Sequence, residues 1–146
     1  MEIKNNELKI EHKTKKLSDI NVIRVARGYV YLSSSLVDCI QSELTISDIK
    51  DALNNAGIDE FYEVENMLIN TDNIKNMFIK HYQYAGISIY QCEKDHSDLN
   101  VVNIVCKNGK TESVPFSTFR EAEAFYHEVD SAICSYRSRE ITKGLV

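Results

Sequence analysis

The residues best suited to bind a metal lie in one short segment of the chain. Cys92 and His96 stand four positions apart, and Asp95 and Asp98 lie beside His96. Thiolate, imidazole and carboxylate are ligands that zinc accepts. A second pair of ligands at short spacing is missing, and only Cys106, on the next expected strand, would add one. The pattern is more typical of a buried strand thiol beside a polar turn, so we expect neither a metal nor another cofactor.

A nucleophilic thiol is the second chemistry that the composition allows. The chain has 4 Cys and 4 His, so a cysteine paired with a histidine is geometrically possible. No cysteine stands in a glycine-flanked turn, and Cys39 and Cys134 fall within helical patterns, where a small core residue is expected. The sequence also lacks the glycine motifs that cradle phosphates and the paired-histidine motif of zinc proteases. We therefore predict that the protein is not an enzyme.

Acidic side chains are concentrated in the middle of the chain. Residues 28–75 contain two basic and nine acidic residues, a net charge of -7, whereas the whole chain carries -5. This excess disfavours nucleic acid as a partner, because binding to phosphates depends on cations, and it favours encounter with a basic protein. Tyrosine suits such an interface because it joins apolar area to a polar end. The predicted partner-binding residues are Asp59, Glu60, Tyr62, Glu63 and Glu65, and their four carboxylates are placed on exposed helix faces.

The first two thirds of the chain predict strands followed by helices. Apolar and charged residues alternate from Leu8, and a β-branched run ends at Gly28, so residues 1–32 are assigned to strands. Residues 33–86 are assigned to a helical insert. Its clearest helix has apolar residues at spacings of three and four from Ile46 and stops at Gly57. Two further helical segments are predicted to follow the capping residues Asp59 and Asp72.

The last third predicts three strands and one long helix over residues 87–137. The predicted strands are residues 87–92, 101–106 and 111–116. Asn108 and Gly109 form the turn signal between the last two strands. Thr118 and Glu121 have the spacing of a capping box and open an amphipathic helix that needs a sheet to lie on. Residues 138–146 are predicted to be a frayed tail.

Together these elements predict an α+β fold in a single domain over residues 1–146. Strands from both ends of the chain are expected to meet in one mainly antiparallel sheet, since an isolated hairpin buries too little surface. The helical insert lies between them, and the long C-terminal helix packs on the sheet. No stretch is apolar enough to span a membrane, and the first residues lack a secretory signal, so we expect a cytoplasmic protein without an integral membrane segment. Abundant Asn, Ile and Lys indicate a bacterial or phage genome.

Both ends of the chain resemble uncharacterised bacterial PH-like domains. The resemblance covers residues 1–27 and 99–136, the second being a strand, a glycine turn, a strand and a closing helix. It implies a binding scaffold without known chemistry. The acidic middle departs from that pattern, because the bacterial relatives carry apolar, membrane-like segments there. In the opening hairpin the matching residues are Ile3, Asn5, Leu8, Ile10, Lys13, Thr14, Leu17, Ser18, Ile20, Ile23, Arg24 and Val25.

Two functional hypotheses follow from these observations. The first is a non-catalytic protein-binding domain, in its most specific form an acidic immunity or antitoxin protein that inhibits a basic toxin. Its support is the acidic, tyrosine-bearing middle of the chain. The alternative is a PH-like adaptor that binds a lipid headgroup or a peptide. The candidate basic patch for that alternative is Lys13, Lys15, Lys16, Arg24 and Arg27.

Overall fold

The computed structural model of the chain describes residues 1–32, 38–82 and 99–144. These ranges contain eleven strands and two α-helices, which confirms the α+β class. The strands are β1 (Glu2–Lys4), β2 (Glu7–Ile10), β3 (Lys13–Lys16), β4 (Val22–Ala26), β5 (Tyr29–Tyr31), β6 (Cys39–Gln41), β7 (Phe61–Val64), β8 (Met67–Asn70), β9 (Ile74–Tyr82), β10 (Leu99–Cys106) and β11 (Thr111–Phe116). The helices are α1 (Ile46–Asn55) and α2 (Phe119–Gly144).

The strands form three sheets, and every pairing with a defined register is antiparallel. The strand orders are β1-β2-β3, β6-β5-β4-β8-β7 and β11-β10-β9. The strands from the two ends of the chain therefore lie in different sheets, where the sequence predicted a shared one. Strands β7 and β8, from the segment predicted as helical, extend the central sheet beside β4. Three or more strands with an apolar face are sufficient for a sheet, so the C-terminal hairpin is not needed there.

The chain divides into two compact units. Residues 1–74 and 132–146 form the first unit, and residues 75–131 form the second. The first part of α2 belongs to the second unit and its last part to the first.

The core of the first unit combines its two sheets with α1. Leu8 and Ile10 of β2, Ile23 of β4 and Leu68 of β8 belong to one buried cluster with Leu53 of α1. Each side chain is at most 1% exposed. Complete burial of one such side chain stabilises the fold by about 1.5–3 kcal/mol. This cluster fixes the central sheet, and with it the positions of the strands at its edges.

Helix α1 begins and ends as local sequence rules require. The Thr45 hydroxyl accepts a hydrogen bond from the Asp48 N–H at 3.1 Å, and the Asp48 carboxylate accepts one from the Thr45 N–H at 2.9 Å. This reciprocal capping box satisfies two N–H groups at the start of the helix. Gly57, with φ of 77°, ends it in the left-handed conformation. The predicted helix from Ile46 and its glycine stop are confirmed.

The helices predicted after Asp59 and Asp72 are wrong, because both segments are extended. Strands β7 and β8 form a hairpin closed by Glu65 and Asn66, whose φ values are 53° and 71°. In β9, the half-buried Met77 and Ile79 alternate with exposed neighbours, a period of two instead of the helical one. Apolar residues spaced for one helix face also fit a strand when neighbouring strands are available, so tertiary context decided these segments.

The second unit packs the first part of α2 on the β9–β11 sheet. The rings of Phe116 and Phe125 lie 5.2 Å apart, and Val102, Val114 and Val129 are buried. Gly109, with φ of 86°, closes the β10–β11 hairpin. The predicted hairpin and the helix that packs on its sheet are thus confirmed.

The N-terminus of α2 is capped as predicted, but its C-terminus is longer than predicted. The Thr118 hydroxyl accepts from the Glu121 N–H at 3.1 Å. The prediction of a frayed tail is wrong for residues 138–144, since α2 continues to Gly144. Side chains near its end make ion pairs with a residue far away in the sequence, and such contacts hold a helix end that its own sequence does not favour. The predicted strand at residues 87–92 lies outside the described residues.

Candidate functional site

Strand β7 is an edge strand of the central sheet. In the strand order of the described residues it has β8 as its neighbour on one side and no strand on the other. Tyr62 lies opposite Ile69, and the turn at Glu65 and Asn66 is two residues long. In such a hairpin Tyr62 and Val64 exchange main-chain hydrogen bonds with β8, so the main-chain groups of Phe61 and Glu63 point to the open edge. We call residues 59–65 the β7 edge.

The five predicted partner-binding residues all lie on the β7 edge. They were expected on helix faces, and that expectation is wrong: Asp59 and Glu60 precede the strand, Tyr62 and Glu63 lie in it, and Glu65 is in the turn. Glu63 and Glu65 are exposed, whereas Glu60 and Tyr62 are half-buried. The five residues still stay close together because they all fall within residues 59–65, although Tyr62 and Glu63 point to opposite faces of the strand.

Asp59 is held by two cations from the end of α2. Its Oδ2 atom lies 3.4 Å from Arg139 Nε and 3.4 Å from Lys143 Nζ. Arg139 also donates from Nη2 to the Asp59 carbonyl oxygen at 3.3 Å. Partial burial alone would raise the pKa of Asp59, but the hydrogen bonds and charges of Lys143 and Arg139 outweigh it and hold that pKa below its ordinary value. Asp59 is therefore charged and already paired.

Glu60 lies in a concentration of negative charge. Its carbonyl oxygen accepts hydrogen bonds from the Thr71 N–H at 2.8 Å and from the Thr71 hydroxyl at 2.6 Å. Burial raises the pKa of the Glu60 carboxyl, and the nearby charges of Asp59, Asp72 and Glu140 add to that rise. A cation brought to this position would be stabilised by several carboxylates together.

Tyr136 of α2 lies beside the same carboxylates. Its hydroxyl donates a hydrogen bond to Asp72 Oδ1 at 3.3 Å, and the Arg139 guanidinium lies 5.7 Å from the centre of its ring. Burial, followed by the charges of Asp72, Glu140 and Glu60, raises the pKa of the Tyr136 hydroxyl, so it remains protonated and a donor. No sequence pattern indicated the contributions of Tyr136 and Arg139 to this region, because both lie far from Asp59 in the sequence.

Lys50 connects α1 to the β7 edge. Its ammonium group donates to the carbonyl oxygen of Phe61, one of the main-chain groups that point to the open side. Burial lowers the pKa of Lys50, while the neighbouring charge of Glu63 acts in the opposite direction. The contact satisfies the Phe61 carbonyl oxygen and does not involve the main chain at Glu63.

Buried asparagines fix the turn that follows β8. The Asn70 side chain donates to the carbonyl oxygens of Leu17 and Ile20, at 3.3 Å and 3.0 Å, and accepts from the Asp72 N–H at 3.1 Å. Asn73 donates to the carbonyl oxygen of Ser18 at 2.8 Å. Because buried polar groups need partners, these bonds allow one arrangement of the turn. They thereby set the position of Asp72 relative to the β7 edge.

The basic residues of the alternative hypothesis do not form one patch. Lys13 and Lys15 are half-buried, and Lys15 makes a 2.6 Å ion pair with Asp38. Lys16 is exposed on the opposite face of β3, since side chains alternate along a strand. Arg24 is half-buried in β4, and Arg27 is exposed in the turn after it. The five residues therefore point in several directions.

The outer face of the β1–β3 sheet is of mixed charge. A shallow pocket of about 210 Å³ there is lined by Glu2, Lys4, Glu7 and Lys9, among others. Two carboxylates and two ammonium groups alternate across it, so its charges largely compensate one another within the pocket.

The residues considered for metal binding lie largely outside the described ranges. Cys92, Asp95, His96 and Asp98 lie outside them, and the described ranges contain no group of three or more ligands able to hold a metal ion. Burial, with a smaller contribution from the charge of Glu112, raises the pKa of the Cys106 thiol to about 11. A thiol in that environment is a poor nucleophile at neutral pH.

The central arrangement is thus the β7 edge, an acidic segment with one tyrosine at the edge of a sheet. Its first carboxylate, Asp59, is paired with Arg139 and Lys143 of α2. The described residues include no helix long and apolar enough to span a membrane. Comparison with protein-family models, with curated proteins and with solved structures finds no significant match to the chain.

Proposed function

We propose that the protein is a non-catalytic binding domain and that its β7 edge binds a basic segment of another protein. The observation that supports this proposal is the position of β7 at the edge of the central sheet, with carboxylates before it, within it and in its turn. An extended segment that adds to a sheet edge gains affinity from main-chain hydrogen bonds and specificity from side chains. The partner therefore supplies a strand that carries Lys or Arg.

Charge supports the same partner at longer range. The net charge of -7 on residues 28–75 attracts a basic surface before contact, which raises the association rate at low ionic strength. Glu63 and Glu65 are exposed and can meet cations directly, whereas Tyr62 offers a partly buried ring. Tyrosine is enriched at protein interfaces, and polar residues form the rim around such aromatic contacts.

The most specific form of the proposal is an inhibitor of a basic toxin, of the immunity or antitoxin type, acting in the cytoplasm. Its acidic edge would cover the cationic surface that such a toxin uses on its own substrate. Asp59 lies in exchangeable ion pairs, and Glu63 and Glu65 are exposed, an arrangement suited to binding cations. The PH-like alternative receives less support, because Lys13, Lys15 and Lys16 are divided between two faces of β3.

A charge-reversal experiment tests the proposal. The probe is a fluorescently labelled peptide of alternating lysine and valine, titrated against the protein at low and moderate salt. We expect saturable binding that weakens with salt and falls by about tenfold in a Glu63→Lys, Glu65→Lys variant, because two attractive contacts become repulsive. A peptide with glutamate in place of lysine should not bind.

The matched control is a Glu2→Lys, Glu11→Lys variant, which changes the net charge equally on exposed residues of the N-terminal sheet. Binding by this variant should stay close to that of the unmodified protein. Equal losses in both variants would show that only the overall charge matters and would contradict the proposal. Sedimentation of the protein with anionic lipid vesicles, in contrast, would favour the PH-like alternative.

A further inference from the structure

Arg139 and Lys143 stand one helical turn apart on α2 and reach the same atom. Both lie 3.4 Å from Asp59 Oδ2, and Arg139 makes its additional 3.3 Å bond to the Asp59 carbonyl oxygen. The two cations therefore contact both the side chain and the main chain at the start of the β7 edge. A basic partner of that edge would use the same groups.

This contact has the features of one that can open. The side chains of Arg139, Lys143 and Asp59 are 48%, 59% and 40% exposed, so water replaces the lost bonds. Distances of 3.3–3.4 Å are at the long end for hydrogen bonds to nitrogen donors. Exposed ion pairs of this kind are weak, because solvent and salt screen them.

Each cation also has a second partner on α2 itself. Lys143 Nζ lies 3.0 Å from Glu140 Oε1, closer than to Asp59, and the Arg139 guanidinium lies near the Tyr136 ring. When Asp59 is released, neither cation is left without a favourable interaction. The cost of opening is therefore low, and its effect on α2 is confined to the last turns, which lose a tertiary contact.

We infer that the end of α2 is an intramolecular competitor, in which Arg139 and Lys143 occupy Asp59 until a basic partner displaces them. The inference rests on the proposed function of the β7 edge and adds its regulation. Because the competitor is part of the same chain, its effective concentration at Asp59 is high. A partner must therefore gain contacts along β7, at Glu63 and Glu65, that isolated cations do not make. This arrangement favours a partner with a cationic strand over scattered lysines.

The test is to remove the two competing charges. An Arg139→Gln, Lys143→Gln variant should bind the lysine–valine peptide about two- to tenfold more tightly than the unmodified protein, the range expected when two exposed ion pairs no longer compete. In an Asp59→Asn background the same two substitutions should change the affinity little, because the group for which they compete is gone. Circular dichroism confirms that each variant is folded.

The matched control is Lys110→Gln with Arg120→Gln, which removes two exposed cations from the second unit and lowers the net charge equally. An equal gain in this control would assign the effect to overall charge and overturn the inference. A loss or an unchanged affinity in the Arg139 and Lys143 variant would overturn it as well, since the helix end would then support the site or have no role in it.

Hydrogen exchange gives a second measurement on the unmodified protein. Saturation with the peptide should speed exchange of the amides in the last two turns of α2, because their side-chain contacts with Asp59 are lost. Unchanged exchange there, with the β7 amides protected, would overturn the competitor and leave the binding site intact. If charge reversal at Glu63 and Glu65 leaves the affinity for the peptide unchanged, the proposed function itself fails. The two failures are therefore distinguishable.

Discussion

The β7 edge and the N-terminal β1–β3 sheet both contain a run of like charges in the sequence, but they differ in how the fold arranges them. At the β7 edge Asp59 lies near Glu60, and Asp72 and Glu140 join them from other elements. On the N-terminal sheet Lys13 and Lys15 face one way and Lys16 the other. The first region concentrates its charge, and the second disperses it.

The difference shows what converts a charge run into a site. Side chains alternate along a strand, so a run of charges on one strand is divided between its two faces unless other elements bring further like charges to one of them. At the β7 edge, buried groups hold the neighbouring turn and bring further carboxylates to it, as the Asn70 bonds to Leu17 and Ile20 show. On β3 the half-buried Lys15 is instead used in an ion pair with Asp38.

The largest expected effect tests whether buried bonds position the acidic region. In an Asn70→Ala variant, the carbonyl oxygens of Leu17 and Ile20 and the Asp72 N–H each lose a partner. We expect the free energy of unfolding, measured by urea denaturation, to fall by about 1–3 kcal/mol. The control, Asn54→Ala on the exposed side of α1, should change it by less than about 0.5 kcal/mol. Similar small changes in the unfolding free energy of both variants would mean that the Asn70 bonds do not position the acidic region. The contrast between the β7 edge and the N-terminal sheet would then lose its structural basis.

A smaller effect tests the dispersed lysines. In a Lys15→Met variant the apolar stem is kept and the 2.6 Å ion pair with Asp38 is lost. The free energy of unfolding should fall by about 1 kcal/mol, the upper value for a partly exposed pair, and by less at high salt. Lys16→Met, on the exposed face, should leave it nearly unchanged. Equal losses of stability in the two variants, measured by thermal denaturation, would mean that the two faces of β3 do not differ. That result would support a common patch of lysines.

Local signals explain the parts of the fold that the sequence predicts. Gly57, the Asn108-Gly109 pair and the Thr118 capping box each specify one chain reversal or helix end through a few neighbouring residues. The β7–β8 turn lacks such a signal, because Glu65 and Asn66 adopt positive φ without a glycine. The helical spacing of the flanking apolar residues then led to the wrong secondary structure.

The candidate site was predictable in its acidic residues and unpredictable in their partners. Asp59, Glu63 and Glu65 are recognisable from charge alone, since they lie within one short segment of the sequence. Arg139 and Lys143 are 80 and 84 residues away from Asp59, and only the folded chain brings them to it. The open edge of β7 was also hidden, because an edge is a property of the strand order and not of a single strand.

The smallest effect concerns two neighbouring carboxyls of the β7 edge whose pKa values shift in opposite directions. The pKa of Glu60 is raised, by burial and then by nearby negative charges, so its ionisation opposes folding. That destabilisation is absent below the unfolded pKa of about 4.3 and develops as pH rises through the higher folded value. A Glu60→Gln variant should therefore equal the unmodified protein in stability at acid pH and exceed it at neutral pH, by less than about 1 kcal/mol because solvent screens a half-exposed group.

Asp59→Asn is the control, with the opposite sign. The pKa of Asp59 is lowered, because the bonds and charges of Lys143 and Arg139 outweigh its burial, so its ionisation contributes stability above the unfolded pKa. This variant should be less stable than the unmodified protein at neutral pH, and the difference should vanish as pH falls through the depressed folded pKa. Urea denaturation at several pH values measures both curves. Parallel curves of unfolding free energy against pH would mean that Glu60 and Asp59 share one environment. Divergent curves would show that Asp59 is paired while Glu60 is repelled by its neighbours, so that Glu60 would gain from an incoming cation.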